Sequence, residues 1–176
     1  KKAEEQFEKG YISGCTTSLE SLVQVVHNGS ELTGRVPGIF MMVVPAETVE
    51  DTLNELLSFC VEGDIIIDHG NSNFKDSRRR AERLSKLGIA YIDCGTSGGV
   101  YGLERGYCLM VGGANHAVSV CAPIFRALAP GIGSAPRTDP TTRATSAEYG
   151  WLHCGPPGAG HFVKRSDEHT SELQSP

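Results

Sequence analysis

Asp64-Ile65-Ile66-Ile67-Asp68 is the stretch that most limits what this chain can become. Three β-branched apolar residues in a row show no polar alternation, so the strand they form must be covered on both faces. Such a strand belongs to a parallel sheet between helical layers rather than to a half-solvated antiparallel one. His69-Gly70 then breaks the run and presents Asn71 and Ser72 just past the strand's carboxyl end. Open α/β sheets bind their ligands there. The same residues also satisfy ordinary turn chemistry, with Ser72 able to cap the next helix.

The rest of the chain alternates strands with helical stripes. Residues 1–10 read as the last turns of a helix closed by Gly10, and Tyr11-Ile12 as a short strand. Thr17-x-x-Glu20 forms a capping box before the stripe Leu19, Leu22, Val23 and Val26. His27-Asn28-Gly29 ends that helix, with His27 a cation near its terminus. Gly38–Pro45 is a second buried strand, and Val49, Leu53, Leu56, Leu57 and Cys60 keep helical spacing up to Gly63. A helix over roughly 74–87 carries Arg78, Arg79, Arg80, Arg83 and Lys86 on a solvated face, opposite Ala81, Leu84 and Leu87. Ile89–Cys94 and Tyr107–Val111 are further strands, and Ala117, Val120, Cys121, Ile124 and Leu128 mark a helix kinked by Pro123. The glycine-, proline- and threonine-rich 130–150 is a loop. The alternation predicts an α/β fold with a parallel, doubly wound sheet.

Composition narrows the function classes. With 176 residues, 39% of them hydrophobic, the chain can bury one core. A net charge of -5 offers no surface for nucleic acid, and no apolar run reaches membrane-spanning length. The six cysteines are scattered, without C-x-x-C or zinc spacing, which implies a reduced, cytoplasmic protein with no structural metal.

Four stretches carry candidate chemistry. Val44-Pro45-Ala46, Asn71-Ser72 and Ser97-Gly98-Gly99 each follow a strand. Gly98 and Gly99 let backbone N–H groups approach a carboxylate or phosphate, or else make a flexible turn. In Gly155-Pro-Pro-Gly158-Ala159-Gly160-His161-Phe162-Val163-Lys164, small residues allow a helix start to pack tightly, with Lys164 in its first turns. A lysine so placed opposes the helix dipole, which lowers its pKa towards that of a usable base. No G-x-G-x-x-G occurs anywhere in the sequence.

Taken together, DIIIDHGNSN, DCGTSGGVYGLERGYCLMVGG and HCGPPGAGHFVK closely resemble the decarboxylating 6-phosphogluconate dehydrogenases, from Lys1 almost continuously to Lys164. The resemblance implies a Rossmann-like NAD(P)-binding domain over 1–164, partial because the family's first strands and glycine-rich loop would precede Lys1. It implies hydride transfer from C3 of 6-phosphogluconate to NADP or NAD, then loss of CO2 to give ribulose 5-phosphate. By the same resemblance Lys164 is the base, and Asn71 touches both substrate and nicotinamide. Ser97, Gly98 and Gly99 hold the substrate's carboxylate end, and Val44, Pro45 and Ala46 border the cofactor. Loss of the central strands is expected to separate the remaining ones into halves and to open an apolar face.

The sequence departs from the family in three ways. His69 stands where the family has glycine, a change tolerated near a turn. Beyond the lysine, Asp167, Glu168 and Ser171 occupy positions that the family gives to His, Asn and Glu, so those roles do not carry over. The family's all-α second domain is absent, so the family homodimer is not expected to form. The segment 165–176, RSDEHTSELQSP, resembles read-through of a sequencing-library adapter and is expected to be a non-native or disordered tail. Two alternatives stand beside this reading: another β-hydroxyacid dehydrogenase, such as one for 3-hydroxyisobutyrate, and a non-catalytic binding module. GAGHFVK and the ERGYCLMVGG insert speak against the first, and a chain end with no apolar face against the second.

Overall fold

The computed structural model describes residues 2–10, 15–31, 37–137 and 139–165. Five strands form one sheet in chain order: β1 (Ile39–Met42), β2 (Ile65–Asp68), β3 (Ala90–Ser97), β4 (Cys108–Gly112) and β5 (Trp151–Gly155). Helices α1 (Lys2–Glu8) and α2 (Leu19–Glu31) precede the sheet. Helix α3 (Val49–Leu57) links β1 to β2, and α4 (Phe74–Ser85) links β2 to β3. A short α5 (Gly102–Arg105) lies between β3 and β4, and α6 (Asn115–Leu128) follows β4.

The isoleucine run is covered on both faces, as its pattern demands. Ile66 packs with Phe40, Met42, Val49, Leu53, Leu84 and Tyr91 under α3 and α4. Ile65 and Ile67 point the other way, into a cluster with Ile92, Leu109, Val111, Cys121, Phe125 and Trp151 under α6. Strands β1 to β3 are parallel, and so are β4 and β5, but β3 and β4 run antiparallel with Cys94 opposite Val111. The link from Ser97 to Cys108 is shorter than a parallel crossover needs, so β4 returns alongside β3. The sheet is thus mixed. Every strand pairs with its successor, so the sheet does not divide into halves. At and just past the β1 edge strand, Met41 and Val43 are 40% and 76% exposed.

Several local expectations change. The first cap of α2 is Ser18, whose Oγ accepts from Ser21 N–H at 3.2 Å, one residue later than the expected box. Helix α2 runs through His27-Asn28-Gly29 to Glu31, and His27 Nε2 bonds the buried Asp64 carboxylate at 3.1 Å. The α4 arginines do not form a purely solvated face. Arg80 is buried, with Nε on Glu50 at 2.9 Å and Nη1 on Ser72 at 3.1 Å, while Leu87 is exposed. Strand β5 had no counterpart in the sequence reading. The predicted strand at Tyr11-Ile12 lies outside the described residues.

Candidate active site

The site is built at the carboxyl ends of β2 and β3, on two buried aspartates paired in register, Asp68 and Asp93. Asp68 accepts from Gly70 N–H at 2.8 Å, Ser72 Oγ at 2.7 Å and Tyr91 Oη at 2.6 Å. Burial first, then the Asp68 charge, pushes the Tyr91 hydroxyl far above its ordinary range, so Tyr91 remains a donor. These bonds fold residues 70–72 over the strand end and leave Asn71 facing solvent. Ser72 therefore does not cap α4; Asn73 does, its side chain accepting from Lys75 N–H at 3.0 Å.

Asp93 holds the other half. Its carboxylate accepts from Gly158 N–H at 2.6 Å and His161 N–H at 2.8 Å, an anion at the start of the helical run 159–165. Two glycines permit this docking. A Cβ on Gly160 would lie 2.6 Å from Asp93 O and 2.8 Å from Gly112 N, and one on Gly95 would lie 2.7 Å from Lys164 Cβ. The backbone approach brings Lys164 across to Asn71, where Nζ donates to Oδ1 at 2.6 Å. Lys164 is the sixth residue of that run, not part of its first turn, so the dipole argument for it does not apply.

The other expected residues flank this pair. Strand β3 continues through Gly95-Thr96-Ser97, so only Gly98 and Gly99 turn, with φ of 152° and 50°. Ser97, Gly98 and Gly99 are all exposed, and a Cβ on Gly99 would meet nothing within 4 Å. Successive glycines at positive φ leave amide N–H groups free to face an anion. On the other side, the Val44 carbonyl lies 3.2 Å from where a Gly70 Cβ would stand, and Pro45 and Ala46 form an exposed lip. The structure thus lines up the Val44–Ala46 lip, the Asn71 turn and the strand bearing Ser97 along one sheet edge.

Four contributors escaped the sequence reading: Asp93, Thr96, His69 and His161. His69 Nδ1 lies 2.9 Å from Thr96 Oγ1, so it is a built contact rather than a tolerated turn residue. His161 Nδ1 lies 2.8 Å from Ser77 Oγ. Burial lowers both histidines, His69 to about 4. Asp68 did carry a signal, since it closes an apolar strand run just before a Gly-containing break. Among the described residues no group of His, Cys, Asp or Glu could hold a metal ion, and no helix is long and apolar enough to cross a membrane. None of the cysteines is in a disulfide.

Residues 2–136 match the NAD binding domain of 6-phosphogluconate dehydrogenase. The chain belongs to that family. It is 40% identical over 126 residues to the NAD(+)-dependent, decarboxylating 6-phosphogluconate dehydrogenase of Haloferax volcanii, covering 72% of this chain and 36% of the relative. The decarboxylating enzyme of Chlamydia muridarum is 36% identical over 148 residues, 84% of this chain and 27% of that one. The chain therefore spans only about a quarter to a third of these relatives' length. Among solved structures, 6-phosphogluconate dehydrogenase of Plasmodium falciparum superposes with a TM-score of 0.61 at 26% identity, over 77% of this chain and 27% of that one. A 3-hydroxyisobutyrate dehydrogenase of Mycobacterium tuberculosis gives 0.62 at 21% identity, over 77% and 41%, which shows the fold alone.

The exposed, apolar Pro45-Ala46 lip and the exposed Asn71 amide have the chemistry that the edge of a nicotinamide ring would meet. A pyrophosphate turn of the G-x-G-x-x-G type is not among the 176 residues.

Proposed function

We propose that this chain forms the dinucleotide side of an oxidoreductase site that oxidises 6-phosphogluconate at C3 and releases CO2, yielding ribulose 5-phosphate. The observation that carries the reading is the 2.6 Å contact of Lys164 Nζ with Asn71 Oδ1, which joins residues 93 positions apart at the sheet's carboxyl edge. The names of the Haloferax and Chlamydia relatives support the substrate and the decarboxylation. The Haloferax enzyme uses NAD(+), and the Plasmodium structure was determined with NADP+. When bound, the nicotinamide accepts the hydride from C3.

This chain's own residues handle the proton and the pose. Lys164 is the base that takes the C3 hydroxyl proton as the hydride leaves. Asn71 Oδ1 accepts from Nζ and so holds the amine in place. The exposed Ser97-Gly98-Gly99 turn holds the carboxylate end of the substrate, whose C1–C2 bond then breaks to release CO2. The two β-strand ends do this on a rigid frame, since Asp68 and Asp93 are wholly buried and hydrogen-bonded. The resulting enediol must still be protonated, a role that does not carry over to Asp167, Glu168 or Ser171. We read 1–164 as a partial NAD(P)-binding domain and 165–176 as a tail foreign to it.

Titration of the 15N-labelled chain with 6-phosphogluconate tests this. Shifts of the Asn71 side-chain amide and of the Ser97–Gly99 amides are expected, and Lys164→Met should weaken them about tenfold or more. Stronger shifts with 3-hydroxyisobutyrate would move the chain to another hydroxyacid. Shifts with neither compound would remove the substrate assignment.

A further inference from the structure

Each member of the Lys164–Asn71 pair has a histidine close by on its own segment, anchored through Nδ1 to a hydroxyl on another element. His69 stands two residues before Asn71 and reaches Thr96 on β3 at 2.9 Å. His161 stands three residues before Lys164 and reaches Ser77 on α4 at 2.8 Å. In both cases the hydroxyl proton already has an acceptor. Thr96 Oγ1 donates to Cys94 O at 3.1 Å, and Ser77 Oγ donates to Asn73 O at 3.3 Å. A hydroxyl has one proton, and with it directed to the carbonyl each oxygen accepts from its histidine. In that arrangement both imidazoles carry the proton on Nδ1, and each Nε2 is a bare acceptor.

The surroundings agree. Nε2 of His69 and Nε2 of His161 are both buried with no hydrogen-bond partner. A charged imidazole would place an N–H there with nothing to receive it, so burial keeps both rings neutral. Each ring also lies near other titratable groups. Asp68 and His161 face His69, while Asp93, Asp68, Lys164 and Arg80 face His161.

We propose that His69 and His161 are positioning residues, neutral Nδ1–H struts that set the distance and direction between Asn71 and Lys164. His69 ties the Asn71 turn to the strand end that carries Ser97, Gly98 and Gly99. His161 ties the Lys164 segment to α4, alongside the bond from its own N–H to Asp93. The link to substrate affinity rests on the function proposed above; the struts themselves do not.

The test begins without mutation. Long-range 15N–1H correlation of the imidazoles at neutral pH should show both rings as Nδ1–H tautomers, and an Nε2–H pattern for either ring would overturn the proposal. Substitutions then separate the donor from bulk. Asparagine places an N–H near the Nδ1 position, whereas glutamine places one near Nε2. His69→Asn and His161→Asn should keep the Asn71 side-chain amide resonance and 6-phosphogluconate affinity within about twofold of wild type. His69→Gln and His161→Gln should shift that resonance and weaken affinity about tenfold. Equal behaviour of Asn and Gln variants would mean that packing volume is what matters, and the strut assignment would fall. If the wild type binds no 6-phosphogluconate, the substrate reading fails, while the tautomers and the Asn71 resonance still decide the struts.

Discussion

Gly160→Ala is the sharpest perturbation of the geometry that brings Lys164 to Asn71. A Cβ at Gly160 would meet backbone on three sides: Met110 O nearest, Asp93 O at 2.6 Å and Gly112 N at 2.8 Å. None of these is the end of a flexible side chain, so the segment 159–165 must lift from β3 and β4 as a unit. Lifting breaks the hydrogen bonds from Gly158 N–H and His161 N–H to the buried Asp93 carboxylate. Bonds to a charged group contribute about 1.5–3 kcal/mol each, so docking should weaken by roughly 3–6 kcal/mol. The sheet keeps its own cores, so most of this loss should appear as local opening rather than global unfolding. Hydrogen exchange of the 159–165 amides should then accelerate by about two to four orders of magnitude, while β2 amides change little. The Lys164–Asn71 contact should disappear from the spectrum with it. Unchanged exchange at 159–165, or a retained Asn71 side-chain resonance, would refute the claim that this backbone contact positions the lysine.

Four further outcomes are expected. His69 falls from an ordinary 6.5 to about 4 through burial, so below 6.5 the unfolded chain binds the proton first. Its share of stability is full above pH 6.5 and is lost as the pH falls towards 4, by at most about 3 kcal/mol; urea midpoints across this window should fall less steeply in His69→Asn. Tyr91→Phe removes the 2.6 Å bond to buried Asp68 and should cost about 1–2 kcal/mol in urea unfolding without moving the Lys164 segment. Cys94 and Cys121 are buried and their thiols are pushed up to about 12 and about 11, so a thiol reagent at neutral pH should label exposed Cys15 and Cys108 first and reach these two only in denaturant. Gly99→Ala meets nothing within 4 Å but must hold φ near +50°, so it should cost about 1–2 kcal/mol and distort the proposed carboxylate turn, read as weaker 6-phosphogluconate binding.

Local chemistry was enough for much of the fold. Three adjacent isoleucines cannot be half-solvated, and they are covered on both faces. Apolar spacing in 49–57 and 74–85 located two helices, because one stripe facing a sheet is a local property. Motif resemblance brought Lys164, Asn71 and the Gly98-Gly99 turn into one list. What spacing could not supply was pairing. Whether β4 returns antiparallel depends on how β3 and the 98–107 link fit in space, and Trp151–Gly155 became a strand only because β4 offered it an edge.

The candidate site divides in the same way. By itself the sequence determined which side chains could do chemistry, since a lysine, an amide and a glycine turn keep their character in any fold. Only the tertiary structure decided that Lys164 meets Asn71, that Arg80 is buried against Glu50 and Ser72, and that His69 and His161 are anchored on Thr96 and Ser77. Each of these contacts links residues from separate elements. For Lys164 the meeting depends on how closely two backbones approach, here on Gly95 and Gly160 lacking a side chain. That distance is fixed by packing, which no single stretch of sequence contains.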